Sequence, residues 1–550
     1  MAKKVAVLGG GVGGMTAAHE LIERGFEVDV YEMKPIPGGK ARSISVPNTG
    51  EGGRKNLPGE HGFRFFPRFY RHIPDTMKRI PYGDRGSVLE NLVDTTRLEM
   101  TRYGEPPLVQ ITRFPRSLGD IKVFIKSFFN NLGLSDADLE FFGDRIWQIL
   151  TSCGARRLDE YERLGWWDYV EADRHSAAYQ TFLAHGITRS LVAAKANLAS
   201  TKTIGDILVQ LFIDIGEPGT SADRVLCGPT NDVWISPWLT YLTSRGVRYH
   251  LGANVASINC QDGLVRSATV TEGGVTTDVT ADYYVAALPI EVMSGLVTPE
   301  MLKGDPTLAN IQTLHGNVEW MNGLQFYLKE AVPIVHGHAN HIDTQWALTS
   351  ISQAQFWPRF DLSGYGDGTV KDILSVDISD WDTPGFSGKT ARESTKDEIQ
   401  KEVWEQIKKS VNVGGAEVLK DESLRTWFMD PDIVFFVNPN DGDPQQKTNR
   451  EPLLVNLVDT WQLRPDAYTR IPNLFLASDY VRTYTDLATM EAANEAARRA
   501  VNAIVDAAGV HASSCSVWNL HEPDLLALFR VHDKDRYAKG LPWNGRLLSF

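Results

Sequence analysis

The stretch KVAVLGGGVGGMTAAHELIERGFEVDVYE, residues 4–32, constrains the fold more than any other part of the chain. An apolar run leads into glycines spaced as GxGxxG, and apolar residues at helical spacing follow before a second apolar run. This order predicts a buried strand, a glycine turn that brings a diphosphate to the positive end of a helix, and a second strand. Glu32, which ends the second run, is placed to accept both hydroxyls of an adenosine ribose. The segment therefore predicts a dinucleotide-binding α/β unit.

The size and charge of the chain limit what else it can be. At 550 residues it is too long for one hydrophobic core, so two or three structural units are expected. Its 69 acidic and 56 basic residues give a net charge of -13 at pH 7. A surface of that sign repels polyphosphates, so we expect no nucleic-acid partner.

The cysteines and the apolar segments bear on metal binding and location. Cys153, Cys227, Cys260 and Cys515 show no metal-ligand spacing, so we expect no metal, and a reducing cytoplasm is the simplest compartment. No window of about 18 apolar residues predicts a transmembrane helix. The stretch IKVFIKSFFNNLGL, residues 121–134, leaves peripheral membrane contact open, although an amphipathic helix packed on the core is the better explanation.

A second glycine motif follows Glu32 directly. It reads EMKPIPGGKARS and contains Gly38, Gly39, Lys40 and Arg42. This motif resembles the second phosphate motif of the flavoprotein superfamily that contains the amine oxidases and the phytoene desaturases. By that resemblance, the paired glycines let FAD approach closely and the Arg42 side chain reaches its diphosphate or ribityl chain. A glycine turn with a solvated arginine is the alternative.

Two distant segments support the same resemblance. Residues 223–289 resemble the middle FAD segment of the superfamily, in which the backbone at Val255 would contact the adenine. Residues 470–505, with DYVRTYTDLATMEAA, resemble its closing motif, in which Asp479 would bind near the ribityl chain.

The closing motif also predicts a helix that starts at Thr489 and Met490, where backbone amides can stabilise negative charge on a reduced flavin. Ser478 and Ala492 stand where the superfamily usually has glycine. Both residues are small, so FAD binding is still expected, but the assignment to a subfamily is blurred.

The segment GEHGFRFF, residues 59–66, resembles the stretch that passes the isoalloxazine ring. Glu60 and Gly62 match it, whereas Arg64 stands where many members have histidine. An arginine offers a fixed cation in place of a titratable group, which argues against a histidine acid or base at that position. Arg64 and Glu60 are the candidate catalytic residues. The residues expected to contact FAD are Gly9, Gly11, Gly13, Gly14, Glu32, Met33, Gly38, Gly39, Lys40, Arg42, Gly62, Phe63, Arg64, Val255, Asp479, Thr489 and Met490.

The resemblance also implies an α/β fold with a Rossmann-type, glutathione reductase-like FAD-binding domain and an inserted mixed α+β substrate domain. The discontinuous FAD-binding domain would comprise residues 1–90, 223–297 and 455–510. The substrate domain would comprise residues 91–222 and 298–454, and residues 511–550 would form a C-terminal helical tail.

Residues that could shape a substrate site are spread over both insertions. Seven of the fourteen tryptophans lie between Trp320 and Trp461, and aromatic side chains can line an apolar cavity, although packing in the core is their commoner role. His336, His338 and His341 could ligate a metal. No acidic partners accompany them at diagnostic spacing, so we expect a loop or strand edge that faces solvent.

The resemblance implies an FAD-dependent oxidoreductase that removes hydride from an activated, allylic C–H bond of an apolar terpenoid, polyene or lipid-like molecule. Desaturation and hydroxylation are both compatible outcomes. Amine oxidation, isomerisation without net redox change, and a non-catalytic FAD-binding subunit remain alternatives. The expected partners are an apolar small molecule and an electron acceptor such as a quinone, oxygen or a carrier protein, and an oligomer is possible.

Overall fold

A computed structural model describes residues 2–108, 132–185, 196–216, 223–436 and 446–547, with isolated positions between them. Its centre is a five-stranded parallel sheet, which we call the nucleotide sheet. In spatial order its strands are Arg248–Leu251, Glu27–Glu32, Lys4–Leu8, Tyr283–Ala286 and Leu474–Leu476. Segments that are far apart in the sequence thus share one sheet. Its central strands are buried and apolar, as parallel strands must be when helices cover a sheet.

Two long helices pack together beside this sheet. The helix Val12–Glu23 lies against the helix Met490–Ala508, and the small side chains Ala17 and Ala497, both fully buried, allow close approach. Glu491 links them to a third helix, His72–Lys78. Its carboxylate accepts hydrogen bonds from the backbone nitrogens of Arg71, His72 and Ile73 at 2.7 to 2.9 Å. It thereby satisfies amide groups that the start of a helix leaves unpaired.

The second large sheet has seven strands, and we call it the substrate sheet. In spatial order its strands are Leu424–Met429, Asn322–Leu328, Asp372–Ile378, Leu348–Ser352, Gly337–His341, Arg97–Arg102 and Glu105–Leu108. The helix Lys396–Val411 covers one face, and its start carries a capping box formed by Thr395 and Glu398. Trp346, Trp381 and Trp404 are buried in the core associated with that helix.

The expectation of a solvent-facing histidine loop is wrong. His338 and His341 lie on the strand Gly337–His341, which is buried along its whole length between two neighbouring strands. His341 is fully buried, and its ring contacts the hydroxyls of Thr101, Ser350 and Ser410. The spacing of the histidines gave no sign of this, because alternate residues of a central strand can be polar when their partners are polar.

A separate apolar core joins the first insertion to the C-terminal residues. It includes side chains from the helices Asp136–Thr151 and Thr201–Gly216. The tail contributes Leu526 to this core, and its helix Ala527–Ala538 packs against Asp136–Thr151. The segment predicted as a helical tail therefore packs on the helical part of the first insertion.

Smaller elements complete the described chain. The remaining strands are Ser43–Ser45, Pro58–Glu60, Phe66–Pro67, Leu92–Asp94, Asp223–Leu226, Ala253–Gln261, Leu264–Glu272, Val275–Val279, Val318–Glu319, Ile433–Phe436, Gln446–Asn449 and Leu453–Leu454. The remaining α-helices are Gly154–Arg156, Trp166–Tyr169, Ala177–Tyr179, Ser236–Ser244, Ile290–Leu296, Pro299–Gly304 and Ala309–His315. Short 3-10 and π-helical turns connect several of these elements.

The sequence raised two questions about membranes, namely a spanning helix and peripheral contact. In the part of the chain that the structure describes, no helix combines the length and apolar character needed to cross a membrane. The stretch 121–134, which left peripheral contact open, lies mostly outside the described residues.

The predicted α/β fold class is confirmed. A Rossmann-type parallel sheet with a glycine turn after its first strand stands beside a mixed sheet and a helical region.

The attachment of the tail gives a first testable prediction. Asp533 is 2% exposed and accepts hydrogen bonds from the Cys153 backbone nitrogen at 2.9 Å and from the buried Arg156 guanidinium at 3.0 Å. Asp533→Ala leaves that cation without its buried partner and should lower the free energy of unfolding by about 3 kcal/mol. Thermal unfolding followed by circular dichroism measures the change.

Asp535→Ala is the matched control, because Asp535 lies on the same helix but is exposed and pairs with Lys539 at the surface. We expect a change below about 0.5 kcal/mol for it. Equal stability of the two variants would contradict the attachment of the tail through Asp533.

Candidate active site

A continuous cavity of about 1020 Å³ runs from the nucleotide sheet to the substrate sheet. Gly9, Glu32, Ala287 and Ala477 line it, and each follows or ends a strand of the nucleotide sheet. The cavity therefore opens at the carboxyl ends of these strands, which is where open α/β sheets bind their ligands.

The first glycine turn has two kinds of position. A Cβ atom added to Gly13 would lie 2.1 Å from the carbonyl oxygen of Ala477, and one added to Gly14 would lie 1.9 Å from that of Gly9. These two glycines are required by the packing of the backbone itself. At Gly11 the nearest heavy atom would lie 3.6 Å away, which is an ordinary contact. The missing side chain at Gly11 therefore leaves space in the cavity that Gly11 lines, and the packing of the protein does not require it.

The helix that follows this turn leaves its N-terminus free for an anion. The helix Val12–Glu23 has no side-chain cap and no acidic residue in its first turn. Its amide groups and dipole therefore favour negative charge at the cavity.

Glu32 lies at the edge of the cavity next to the turn. Its carboxylate accepts hydrogen bonds from the backbone nitrogens of Gly10 at 2.7 Å and Lys34 at 2.8 Å, so its orientation is fixed. Burial raises the pKa of this carboxyl group. Met33 and Val255 line the cavity beside it, in the place expected for an adenosine.

The second glycine motif packs directly on the first. The Gly38 backbone nitrogen donates a hydrogen bond to the carbonyl oxygen of Gly10 at 3.1 Å. A Cβ atom on Gly39, whose φ is +54°, would lie 2.9 Å from the Cα atom of Gly11. The two motifs therefore form one surface at the centre of the cavity.

Arg64 joins this surface to the segment GEHGFRFF. Its guanidinium donates to the carbonyl oxygens of Lys40 at 2.6 Å, Gly62 at 2.8 Å and Ala41 at 3.2 Å. The Arg64 guanidinium thus donates its hydrogen bonds to carbonyl oxygens of the backbone. Arg64 also lines the cavity, so its fixed positive charge acts there.

Glu60, the other catalytic candidate, lies outside the lining of this cavity. Its carboxylate accepts hydrogen bonds from the Thr230 backbone nitrogen at 3.0 Å and the Thr230 hydroxyl at 2.9 Å. Burial raises the pKa of Glu60 to about 7. In this structure Glu60 connects two segments of the chain.

Arg42 also lies away from the lining of the cavity. Its guanidinium contacts Asp432 and is 2.9 Å from a carboxylate oxygen of Glu451. Two acidic residues from a distant segment therefore pair with Arg42 in this structure, and its contact with a diphosphate or ribityl chain stays a prediction.

Glu451 belongs to a buried cluster that the sequence did not reveal. His61 contacts Asp430 through Nδ1, and potential metal-ligand atoms of His61, Asp430 and Glu451 lie within 4.8 Å of one another. Burial opposes ionisation of Glu451, but the charges of His61 and Arg42 lower its pKa to about 2. Arg42 and Lys34 each lie 2.9 Å from a carboxylate oxygen of Glu451, so ion pairs account for the cluster.

The closing motif packs on the first glycine turn and supplies another part of the cavity wall. Asp479, Thr489 and Met490 line the cavity. The Thr489 hydroxyl accepts a hydrogen bond from the Ala492 backbone nitrogen at 3.1 Å and so caps the helix Met490–Ala508. This is a second helix that begins at the cavity.

The far end of the cavity has one polar and one apolar wall. The substrate sheet contributes Asn340, Thr349 and Asp377 to the polar wall. Burial raises the pKa of Asp377 to about 7, and the nearby charges of Arg64 and His61 oppose that shift. The apolar wall comes from both insertions and consists of Leu98, Met100, Leu132, Phe182, Leu208, Leu211, Phe212, Met321 and Ile342.

Most residues expected at the FAD site line this cavity. They are Gly9, Gly11, Gly13, Glu32, Met33, Gly38, Gly39, Lys40, Gly62, Phe63, Arg64, Val255, Asp479, Thr489 and Met490. Gly14 and Arg42 lie just behind the surface. No tryptophan is among the described lining residues, so the enrichment in tryptophan reflects the core. The sequence contains no signal for the polar wall formed by Asn340, Thr349 and Asp377, because short polar residues in strands belong to no recognisable motif.

Two family models match this chain. Residues 7–80 match the NAD(P)-binding Rossmann-like domain, and residues 235–505 match the flavin containing amine oxidoreductase model. Residues 235–505 of the chain thus form a flavin containing amine oxidoreductase domain. The name of this domain is that of a flavin-dependent oxidoreductase, which implies a flavin cofactor.

The curated relatives of this chain include carotenoid enzymes and a flavin-dependent L-tryptophan oxidase of Lentzea aerocolonigenes, which is 40% identical over 78 residues and covers 14% of this chain and 16% of the relative. The chain is 22% identical over 300 residues to a carotenoid phi-ring synthase of Chlorobaculum tepidum, covering 52% of this chain and 43% of the relative. It is 26% identical over 313 residues to a zeta-carotene desaturase of Zea mays, covering 54% of this chain and 51% of the relative. The matched segment thus spans about half the length of these two carotenoid enzymes.

Solved structures with the same fold include amine oxidases. Cyclohexylamine oxidase from Brevibacterium oxydans has a TM-score of 0.61 at 11% identity, covering 92% of this chain and 100% of that one. A putrescine oxidase has a TM-score of 0.60 at 11% identity, covering 92% and 99% of the two chains. At this identity the likeness shows the fold.

The cavity fits a flavin nucleotide. Gly11 is open toward the cavity, the helix behind it lacks a side-chain cap, and Glu32 is fixed in orientation beside it. A dinucleotide needs such an acidic residue for its ribose and such an open helix start for its diphosphate. The helix that begins at Thr489 adds a second positive dipole at the cavity.

Gly11→Ala separates cofactor binding from folding. The added methyl group meets no atom closer than 3.6 Å within the protein, but it projects into the cavity where the diphosphate must approach. We expect a folded protein whose affinity for flavin falls by about tenfold or more. The ratio of flavin absorbance to protein absorbance, with circular dichroism, measures both properties.

Gly154→Ala is the control, since Gly154 has open space around it and lies away from the cavity. Full flavin content in Gly11→Ala would show that the diphosphate binds elsewhere.

Asp377 gives a prediction about pH. Because its pKa of about 7 in the fold exceeds the value near 3.8 of an unperturbed carboxyl group, the folded state retains a proton that the unfolded state loses. The contribution of Asp377 to stability is therefore complete at low pH and declines as the pH rises from about 4 to 7. Asp377→Asn should become more stable relative to the original protein over that range.

Melting temperatures of the two proteins between pH 5 and pH 8 test this sign. If the melting temperature of Asp377→Asn fell relative to that of the original protein as the pH rose, the result would contradict the burial of a protonated carboxyl group at Asp377.

Proposed function

We propose that the protein is an FAD-dependent oxidoreductase that removes hydride from an activated, allylic C–H bond of an apolar terpenoid, polyene or lipid-like substrate. The observation that carries this proposal is the continuity of the cavity. The same space passes from the glycine turns to an apolar chamber at the substrate sheet.

The extent of the nucleotide end favours FAD over a shorter flavin. Glu32 and Val255 lie at one end of this region, and Asp479 and Met490 lie beyond the glycine turns. A mononucleotide would leave the adenosine end around Glu32 unused, whereas a dinucleotide uses both ends.

The apolar chamber supports a hydrophobic substrate. Leu208, Leu211 and Phe212 face it from one helix, and Leu98 and Met100 face it from the substrate sheet. Apolar walls of this kind take up apolar ligands by removing their surface from water. The names of the curated relatives, a carotenoid phi-ring synthase and zeta-carotene desaturases, agree with such a substrate class.

The residues of the chain would hold the reactants and exclude water. A bound flavin supplies a two-electron acceptor for hydride. The helix that begins at Thr489 favours negative charge at its N-terminus, and Arg64 adds a fixed cation on the cavity wall. Loss of hydride leaves a cationic carbon skeleton, which becomes an alkene by losing a proton or an alcohol by adding water and losing a proton.

Amine oxidation is the second candidate. The observation in its favour is the Asp377 carboxyl group on the cavity wall, which in its ionised form attracts an ammonium group. Anaerobic titration of the purified flavoprotein with polyenes and with amines separates the two, because the true substrate bleaches the flavin absorbance.

Leu211→Trp tests the assignment of the chamber. Leu211 is half-buried on the chamber wall, and an indole ring there would occupy space needed by a long apolar substrate. We expect kcat/KM for a polyene to fall by about tenfold with an unchanged flavin content. Stopped-flow bleaching of the flavin measures the rate.

Leu198→Trp is the matched control, because Leu198 is exposed and outside the cavity. If both variants reduced the flavin at the original rate, the substrate would have to bind somewhere other than this chamber.

A further inference from the structure

The polar wall of the cavity is a row of side chains across neighbouring strands. Thr349 is in register with Asn340 on one side and with Asp377 on the other. Asn340 is in turn in register with Met100 on the next strand. Residues paired in this way share one face of a sheet, and all four line the cavity. Polar groups thus follow one another across this wall of the cavity.

The polar groups of this row have few partners within the protein. Among the described residues, no hydrogen bond is formed by the Thr349 hydroxyl or the Asn340 amide. The Asp377 carboxylate accepts a backbone hydrogen bond from Phe63, and its Oδ1 has no partner. The exposed fractions of Asn340, Thr349 and Asp377 are 7%, 3% and 8%. Polar side chains on a cavity wall with unused donors or acceptors can pair with a ligand, so three adjacent ones indicate a polar ligand group.

Close backbone contact fixes the position of the row. A Cβ atom on Gly323, which is in register with Asp377, would lie 2.8 Å from the Cα atom of Gly62. A Cβ atom on Gly62 would lie 2.8 Å from Oδ1 of Asp377. The row therefore begins beside the segment GEHGFRFF and cannot move away from it.

The charges around the row favour a neutral ligand group. Asp377 would repel a carboxylate when it is ionised. Arg64, whose charge is fixed, is near enough to Asp377 to affect its ionisation and opposes an ammonium group, and the rings of His61 and His338 lie nearby. His338 is itself paired with Asp223 at 2.5 Å. A hydroxyl group both donates and accepts a hydrogen bond, and it carries no charge that either sign would repel.

We infer that the substrate is an alcohol on an apolar carbon skeleton, whose hydroxyl group binds to Asn340, Thr349 and Asp377. This inference rests on the proposed function and narrows its substrate class from a pure hydrocarbon to an oxygenated terpenoid or lipid alcohol. The hydroxyl group binds at the row, and the apolar skeleton lies along the chamber formed by Leu208 and Leu211.

The test uses three probes that share a twenty-carbon polyprenyl skeleton: geranylgeraniol, the corresponding hydrocarbon and the corresponding primary amine. Their dissociation constants come from the change in the absorbance spectrum of the bound flavin, and bleaching under anaerobic conditions is recorded separately. The original protein should bind the alcohol at least about tenfold more tightly than the hydrocarbon.

Thr349→Val and Asn340→Leu remove the hydrogen-bonding groups with little change of shape. Both variants should fold with full flavin content, because a polar group that lacks a partner can be replaced without loss of stability. In each variant the dissociation constants of the alcohol and the hydrocarbon should become about equal. Thr276→Val, in an exposed strand far from the cavity, is the control and should keep the preference.

The outcomes separate this inference from the proposed function. Equal binding of alcohol and hydrocarbon by the original protein overturns the inference, as does an alcohol preference that survives in both variants. Tightest binding of the amine also overturns it. If the alcohol binds through the row but never bleaches the flavin, the inference stands and the proposed dehydrogenation falls.

Discussion

Close contact between backbone segments at the two glycine motifs holds the rest of the structure in place. Gly13 and Gly14 bring the first helix against Ala477 and against the carbonyl oxygen of Gly9, where no side chain fits. Gly39 then packs on Gly11 at a distance that excludes a Cβ atom. These contacts join the strands of the nucleotide sheet to the segments that follow them. They leave an uncapped helix and an open position, Gly11, at the centre of the cavity.

The segment GEHGFRFF distributes its polar residues over three different tasks. Arg64 binds backbone carbonyls and ties this segment to the second glycine motif. Glu60 binds Thr230 behind the cavity, and His61 enters a buried ion-pair cluster with Asp430 and Glu451. The position at which relatives often place histidine is therefore structural as well as electrostatic here. Two histidines do line the cavity, namely His61, three positions earlier in the chain, and His338 of the substrate sheet.

The substrate sheet has two faces with opposite character. One face packs on the helix Lys396–Val411 through apolar side chains such as Phe326, whose ring contacts that of Trp404 on the helix. The other face presents Asn340, Thr349 and Asp377 to the cavity. Since side chains of a strand alternate between faces, one set of strands builds a core and a binding wall together. These three polar side chains on the cavity wall are the reason to expect a substrate that carries a polar group.

The sequence determined the α/β fold and most of the cofactor site, because GxGxxG, Glu32, the GGK motif and the closing motif are local patterns tied to strand ends and helix starts. The tertiary structure decided which side chains face the cavity. Arg42 looks available in the sequence, but Asp432 and Glu451 neutralise it. The buried histidine strand and the row on the substrate sheet were equally hidden. The position of each depends on which strands pair and on contacts between distant segments. A short stretch of sequence contains neither kind of information.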